Sequence, residues 1–387
     1  MATTYLNARP EVRAGEAKTL PARFYNDPEL FRRELQAIHY DMWLYAGRAE
    51  QLPSPGSFFV VRFAGASVIV LRDEHGRVAA FHNTCRHRGT LLCKADGGQL
   101  PGRIQCSYHA WTYGLDGRLL NAPLMEKVVG FKEEEHPLGR VATAEWDGHI
   151  FINLSEHPLP FAQHLEGLDL KFAPWRMGEL RRAERKVYHL KANWKLVIQN
   201  YSECIHCPIA HPQFSKQSHY MSGDNEPPRP TYLGGRMDLR DGIKTLSMDG
   251  QSPHDYLPGL SAEDRRRVYY YALLPNLLLN LHPDYMLTFQ IWPMAVDRTD
   301  VICEWHFHED EMAKPGFDPR DAVEFWDLTN RQDWELSDMA QEGISTVGYR
   351  PGPYSNREEL LVGLDGFVKD RLRHRLAVAE DGTEGIL

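Results

Sequence analysis

The sequence predicts an α+β protein in which a small all-β domain precedes a larger domain with helices around an antiparallel sheet. Short β-branched and aromatic runs, split by Gly, Asp and Glu, fill residues 55–155 and indicate strands. Proline-rich stretches after residue 156 mark a boundary. Beyond that boundary, strand-like and helical runs are separated along the chain, which is typical of an α+β domain.

Length and composition argue against several classes of protein. The 387 residues suggest two or three domains, and 42% apolar with 25% charged residues are ordinary for a globular chain. The net charge of −9 argues against nucleic acid as a partner, because phosphate binding needs clustered Lys and Arg. The best membrane-span candidate, residues 269–281, is shorter than the about 20 residues needed. No secretory signal is visible and six cysteines are too few for a disulfide scaffold, so we expect a reducing, cytoplasmic location.

The N-terminal segment, residues 1–40, is expected to pack on the larger domain through a helix. That helix is predicted to begin with Asn26 as its cap and Pro28 in its first turn. Phe31, Leu35 and Ile38 follow at helical spacing and predict one buried face.

Residues 41–155 are predicted to form the small all-β domain. The runs at 57–63, 67–72 and 77–83 indicate strands. Residues 144–154 resemble a closing hairpin whose turn is Asp147-Gly148.

Residues 156–387 are predicted to form the larger domain. Strands are expected at 184–191, 267–274, 285–292 and 300–307, and helices near 193–206 and 319–342. The segment 222–262 is rich in Pro, Gly and Asp, and is expected to be a long loop.

Two tight Cys/His pairs stand in the all-β domain. Cys85 with His87, and Cys106 with His109, each end a strand-like run, so both pairs can project from loop tips. Two thiolates and two imidazoles suit either tetrahedral zinc or an iron–sulfur cluster with mixed ligation. Cys93, which lies between the pairs, is interpreted as a buried thiol.

A second group of metal-type residues lies in the larger domain. Glu203 and His206 are three residues apart, so a helix over 194–206 would place them on one face. His211 follows five residues later, off that face. Pro208 is expected to break the helix and to turn His211 back toward His206.

Two imidazoles with one carboxylate form the facial triad of non-heme iron(II) oxygenases, which leaves coordination positions open. The carboxylate is predicted to come from a helix over 321–341, where Asp333 shares an inward face with Trp326 and Asn330. An inward Asp costs free energy unless it is paired or metal-bound. A structural hydrogen-bonding role is the alternative for Asp333, and Glu335, about 200° round the helix, is the fallback ligand.

The sequences CRHRG and CSYHAWTYGLDGRL resemble the Rieske domain of ring-hydroxylating-type oxygenase α subunits. The resemblance implies a two-iron two-sulfur cluster with Cys85 and Cys106 on one iron and His87 and His109 on the other. The spacing of Glu203, His206 and His211, with a distant Asp333, likewise resembles the catalytic domains of these oxygenases.

The catalytic resemblance implies that His206, His211 and Asp333 bind a mononuclear iron. It implies that Glu203 bridges a cluster histidine of a neighbouring subunit to His206 in a homotrimer. Glu203 departs from the Asp of many members, and Ser107 and Ala110 depart from the commonest cluster loop, where Pro and Gly are frequent.

The resemblance also implies an activity. A separate NAD(P)H-dependent reductase, with or without a ferredoxin, would supply electrons, and one or two atoms of O2 would enter a small substrate. NYSECIHC at 200–207 is most similar to members acting on betaines and related quaternary amines, so hydroxylation or oxidative N-demethylation of such an amine is expected. Hydroxylation of an aromatic compound is the alternative, and a zinc-stabilised, non-enzymatic binding protein is a remote one.

Two further expectations concern surfaces. Basic residues outnumber acidic ones around the cluster loops, which suggests a docking face for an acidic redox partner: Arg86, Arg88, Lys94, Arg103 and Arg118 against Asp96 and Asp116. Aromatic residues of the later strands are candidates to line the substrate pocket by position alone: Tyr269, Tyr271, Phe289, Trp292, Trp305 and Phe307.

Overall fold

A computed structural model describes residues 17–380, which form two compact units. One unit is Tyr40–His164. The other combines residues 17–39 with 165–380, so the segment before residue 40 packs with the C-terminal part of the chain. The predicted fold class is confirmed, because an all-β unit accompanies a unit of helices and an antiparallel sheet.

The all-β unit contains a seven-stranded sheet and a three-stranded sheet. The strands are β1 Leu44–Arg48, β2 Ser57–Phe63, β3 Ala66–Arg72, β4 Val78–His82, β5 Gly97–Gln99, β6 Arg103–Gln105, β7 Thr112–Gly114, β8 Leu119–Asn121, β9 Arg140–Trp146 and β10 His149–Asn153. The larger sheet has the order β1-β10-β9-β4-β3-β2-β5, and the smaller one β6-β7-β8. The predicted Asp147-Gly148 turn joins β9 to β10, and both residues have positive φ, as a two-residue hairpin turn requires.

The larger unit is built on a second seven-stranded antiparallel sheet, in the order β11-β17-β16-β15-β14-β13-β12. Its strands are β11 Leu180–Leu190, β12 Asp224–Asn225, β13 Tyr232–Asp238, β14 Arg267–Leu273, β15 Leu277–Leu281, β16 Met286–Ala295 and β17 Arg298–His308. All four predicted strands of this unit are present.

The expectation of a continuous loop over 222–262 is wrong, because β12 and β13 lie within it. β13 contains Gly234, where a Cβ would approach the ring of Tyr271 to 2.4 Å, and Gly235, where a Cβ would lie 2.6 Å from the carbonyl oxygen of Asp224. The two glycines allow close strand packing there, and their composition made the strand resemble a loop.

Helices surround this sheet. They are α1 Arg23–Asn26, α2 Pro28–Glu34 with a π-helical continuation over Leu35–His39, α3 Phe161–Leu165, α4 Leu168–Phe172, α5 Trp194–Tyr201, α6 Cys207–Ala210, α7 Pro212–Gln217, α8 Glu309–Met312, α9 Arg320–Ile344 and α10 Glu359–Glu380. Short 3₁₀ turns lie at Ala49–Gln51, Glu133–Glu135, Ala173–Trp175, Met177–Glu179, Tyr220–Ser222 and Asp264–Arg266. Within residues 17–380, no helix combines the length and the apolar character that a bilayer crossing would need.

The predicted N-terminal helix is present, but its cap is Asp27 rather than Asn26. The Asp27 carboxylate accepts hydrogen bonds from the backbone of Glu29 and Leu30 at 2.8 and 3.2 Å. Phe31, Leu35 and Ile38 are buried, as their spacing predicted.

A buried ion pair ties α2 to α5. The Lys195 ammonium lies 2.6 and 2.8 Å from the two carboxylate oxygens of Glu34, and neither side chain is exposed. The indole of Trp194 also donates to Glu34, at 3.1 Å. These contacts fix the helix that leads into the second group of metal-type residues.

Candidate metal centres and substrate cavity

The two Cys/His pairs lie on two loops of the same shape. Cys85 follows β4, its N–H donates to the carbonyl of Thr90, and its own carbonyl accepts from Gly89. The Cys106 loop after β6 repeats both bonds at the same sequence offsets, since the Cys106 N–H donates to Trp111 and the Cys106 carbonyl accepts from Ala110.

The matching loops explain the departure at Ala110. Gly89 and Ala110 occupy the same place in their loops, and their φ angles are 73° and 57°. The left-handed conformation suits Gly and strains an Ala. Ala110 therefore adopts the loop geometry at a local cost, and the arrangement of the loop is kept.

The two loops bring the histidines together at the surface and the cysteines together beneath them. The rings of His87 and His109 are 4.7 Å apart, and Trp111 stacks on His87 at 4.8 Å. Cys85 and Cys106 are buried, and the hydroxyl of Tyr113 lies 3.4 Å from the sulfur of Cys85.

The arrangement discriminates between the two metals that the sequence left open. Four ligands on one tetrahedral zinc would have ligand atoms within about 4 Å of one another. Within residues 17–380, such a close group of three is formed by His206, Cys207 and His211, and the four loop residues do not form one. Ligands held as a cysteine pair and a histidine pair fit a two-iron cluster instead.

Cys93 does not join the loop residues. It is a buried free thiol packed among the apolar side chains of the all-β unit. Burial raises the pKa of this thiol to about 11, against the opposing effect of Arg62. It therefore stays a neutral thiol, as the sequence interpretation holds.

The second group of residues is held by a shorter helix than predicted. α5 ends at Tyr201 rather than continuing to His206, because Ser202 closes it: its hydroxyl and its N–H both donate to the carbonyl of Ile198. The chain then makes one short helix, α6, around Pro208 and reaches His211 just before α7.

Despite the earlier helix end, His206, His211 and Asp333 meet. Oδ1 of Asp333 lies 2.7 Å from Nε2 of His211 and 3.3 Å from Nε2 of His206. Three ligands at right angles around one ion are separated by about 3 Å, so the spacing fits a facial triad. Asp333 comes from α9, and Glu335, the fallback, is exposed.

Each imidazole has a partner on its other nitrogen. Nδ1 of His206 lies 2.5 Å from Oε1 of Glu203, and Nδ1 of His211 lies 2.8 Å from Oε1 of Gln332. Such partners fix the tautomer of a metal-binding histidine and leave Nε2 toward the ion. Sequence reasoning missed Gln332, because an amide that precedes the ligand carries no signal of its own.

The charges at this point suit a cation. Burial lowers the pKa of His206, but hydrogen bonds with Asp333 and Glu203 outweigh it and raise the pKa to about 10. Burial raises the pKa of Asp333, but the two histidines hold it below its usual value. Without a metal, the carboxylates therefore hold a proton on the imidazole, in the place that a divalent ion would take.

Cys204 and Cys207 form a disulfide bond, which the sequence reasoning did not predict. Their Cys-x-x-Cys spacing was the available signal, since it is common among disulfide-forming pairs. The bond occupies the sulfur of Cys207, which leaves Asp333 as the third ligand beside the two histidines.

A cavity opens beside this triad. It is lined by Glu203, His206, His211 and Asp333 together with aromatic rings of the sheet and helices: Phe214, Tyr270, Phe289, Trp326 and Trp334. Of the six aromatic residues proposed from strand position, Phe289 lines the cavity and the other five do not. On β14 the choice was wrong by one residue, since Tyr270 points to the opposite face from Tyr269 and Tyr271.

Two family models match the chain. Residues 42–132 match the Rieske [2Fe-2S] domain, and residues 177–373 match the ring hydroxylating alpha subunit (catalytic domain). This chain belongs to the Rieske non-heme iron oxygenases. Both parts of the resemblance seen in the sequence are thereby confirmed.

Relatives with printed activities agree with this family. The oxygenase is 32% identical to the glycine betaine monooxygenase oxygenase subunit of Chromohalobacter salexigens, covering 90% of this chain and 84% of that protein. It is 27% identical to the carnitine monooxygenase oxygenase subunit of Escherichia coli K12, covering 87% and 86%. The fold matches a solved quaternary ammonium Rieske monooxygenase with a TM-score of 0.80 at 23% identity, covering 92% and 95%.

Membership of the family fixes the cofactors. The oxygenase uses a Rieske [2Fe–2S] cluster and a mononuclear iron, with O2 as oxidant and NAD(P)H as the electron source through a reductase. The donor sets described above fit both groups: a cysteine pair with a histidine pair, and two imidazoles with one carboxylate.

Proposed function

We propose that this oxygenase hydroxylates or oxidatively N-demethylates a small betaine or other quaternary amine. The observation that carries the proposal is the meeting of His206, His211 and Asp333 beside a cavity walled by aromatic rings. Aromatic faces attract an alkylammonium group by cation–π interaction. The relatives named for glycine betaine and carnitine point the same way.

Specific residues are proposed for each cofactor. Cys85, Cys106, His87 and His109 would hold the cluster, and His206, His211 and Asp333 would hold the mononuclear iron. When bound, the cluster supplies single electrons and the iron supplies activation of O2 for insertion into a C–H bond.

The residues of the chain have their own tasks in this reaction. The aromatic wall would hold the ammonium group so that an N-methyl carbon faces the triad, and would exclude water from it. Glu203 and Gln332 keep the Nδ1 protons of the two histidines, so both Nε2 atoms stay available. Hydroxylation of the methyl carbon gives a carbinolamine, which releases formaldehyde and the demethylated amine.

The products test this function directly. Anaerobically reduced holoenzyme, mixed with O2 and glycine betaine, should release formaldehyde and dimethylglycine in equal amounts. Formation of a phenol or dihydrodiol from an arene panel, with no formaldehyde from any N-methyl compound, would establish the aromatic alternative. Bound zinc without labile sulfide would establish the non-enzymatic one.

A homotrimer in which Glu203 connects a neighbour's cluster histidine to His206 is also proposed. Glu203 already contacts His206 through one oxygen. Exposed apolar residues flank both centres and suit burial against another copy: Ile205 and Ile209, the latter 88% exposed, near Glu203, and Tyr108 next to His109.

Glu203→Gln separates electron delivery from metal binding. The amide oxygen can still accept from His206, so both metals should be retained while single-turnover electron transfer slows by about 10- to 100-fold. Glu335→Gln, an exposed change on α9, is the matched control and should transfer electrons at the normal rate. Full coupled activity in Glu203→Gln, or a monomer in sedimentation, would remove the bridging role.

Docking of an acidic reductase or ferredoxin at the cluster loops is proposed on the basis of charge. Arg118 is paired with Asp116, and Asp96 is paired with Arg62. Arg86, Arg88, Lys94 and Arg103 are exposed, and within residues 17–380 they have no acidic partner. The reduction rate of the cluster by its partner should fall as ionic strength rises; a rate independent of salt would contradict this docking mode. The cytoplasm, which supplies NAD(P)H, is the proposed location.

A further inference from the structure

The floor of the substrate cavity contains a polar pair among its aromatic walls. Tyr270 on β14 and Asn280 on β15 are direct cross-strand partners, and both line the cavity. Directly opposed residues of antiparallel strands project from the same face, with Cβ atoms about 5 Å apart. One small molecule can therefore contact both side chains.

Both members of this pair carry a donor without a partner. The Tyr270 hydroxyl and Nδ2 of Asn280 are closed off from solvent, and neither has a hydrogen-bond partner within residues 17–380. Burial raises the pKa of Tyr270 well above its ordinary value, so the hydroxyl keeps its proton. Buried donors are normally satisfied, so a group held inside the cavity is the expected partner.

The orientation of the Asn280 amide is fixed by Tyr201. The hydroxyl of Tyr201 needs an acceptor, and Oδ1 of Asn280 is the nearest at 2.6 Å, against 3.0 Å for the carbonyl of Leu279. This bond turns Nδ2 away from Tyr201 and presents it as a donor.

The cavity also offers one positive charge that no acid neutralises. Arg236 and Arg357 both line it. Arg236 is already paired with Asp224 and Asp238, at 2.8 and 3.3 Å. The guanidinium of Arg357 has no acidic partner in the described part of the chain, and this residue is half-buried. Two neutral donors and one unpaired cation together suit an anionic acceptor.

We propose that Tyr270 and Asn280, assisted by the charge of Arg357, form a subsite that binds a carboxylate of the substrate. The substrate class is then a zwitterion, with an N-methylated ammonium toward the triad and a carboxylate on the cavity floor. This inference rests on the proposed function and narrows it, because quaternary amines without a carboxylate would lack one of two anchoring points.

Two variants remove the donors and disturb little else. Tyr270→Phe deletes only the hydroxyl. Asn280→Asp keeps an acceptor for Tyr201 but replaces the donor with a negative charge. Tyr269→Phe is the matched control, because the Tyr269 hydroxyl bonds to Asp264 at 2.8 Å and does not line the cavity. Iron content, cluster absorption and melting temperature check that each holoenzyme is intact.

The measurement is anaerobic calorimetric binding of glycine betaine and of tetramethylammonium, followed by formaldehyde release. Tyr270→Phe and Asn280→Asp should weaken glycine betaine by about 10-fold or more, relative to tetramethylammonium, since hydrogen bonds to charged groups contribute about 1.5–3 kcal/mol, a factor of 10 per 1.4 kcal/mol. Tyr269→Phe should leave the ratio unchanged.

The outcomes separate the two proposals. Equal weakening of both ligands, or no weakening of either, overturns the carboxylate subsite. Carboxylate-dependent binding without formaldehyde from any N-methyl compound supports the subsite and overturns the proposed reaction. Formaldehyde release with a betaine preference that the variants abolish supports both.

Discussion

The two metal-binding regions are built in opposite ways. The cluster residues all lie within 85–109, on two loops that repeat the same backbone hydrogen bonds, with the histidines at the surface. The iron triad joins His211 to Asp333, 122 residues later, and His211 is buried. A site made of local loops can form from short-range contacts alone, whereas the triad requires a folded sheet and two correctly docked helices.

The largest expected effect separates the two regions completely. His206→Ala should abolish mononuclear iron binding and turnover, because one of three ligands is lost, while the visible absorption of the cluster stays. His87→Ala should do the reverse to the metals: the cluster absorption is lost and the mononuclear iron is kept. Iron, labile sulfide and the visible spectrum check both. Loss of both centres in either variant would break the comparison.

The next effect concerns the scaffold beneath the triad. Lys195→Met leaves the Glu34 carboxylate buried without its partner, which should lower the free energy of unfolding by about 3–5 kcal/mol. Arg32→Ala, which removes the exposed pair of Arg32 with Glu29 on the same helix, should cost less than about 1 kcal/mol. Denaturant unfolding measures both, and equal losses would show that the buried pair is not what holds α5.

A smaller effect probes the contact behind His211. Gln332→Leu removes the acceptor for Nδ1, and Fe(II) affinity should fall by about 10- to 100-fold because the ring loses its fixed tautomer. Gln332→Glu keeps an acceptor and should retain most of the affinity. Iron titration with a competing chelator measures the change; unaltered affinity in the Leu variant would show that the triad orients His211 without help.

The smallest effect compares the two cluster loops. Ala110→Gly should stabilise the all-β unit by about 1 kcal/mol, because Ala110 has a positive φ that Gly adopts without strain. Gly89→Ala, at the matching position, should destabilise it by a similar amount. Thermal unfolding followed through the cluster absorption measures both. Opposite signs would show that the loops are not equivalent.

Sequence reasoning was most successful where neighbours along the chain decide the structure. The strands at 57–63 and 67–72 and the Asp147-Gly148 turn followed from alternation and turn chemistry. It was less successful at limits that long-range contacts set. Helix α5 ends at Tyr201, and β13 forms because the glycines of Tyr232–Asp238 let Tyr271 pack closely against the strand.

The sequence by itself determined the ligand types, their spacing and the family, because cysteine and histidine pairs on short loops need no distant partner to be recognised. Only the tertiary structure decided which face of β14 lines the cavity, which amide supports His211 and which donors lack a partner. Those properties depend on strand register and helix docking, and a shift of one residue in register exchanges the two faces of a strand.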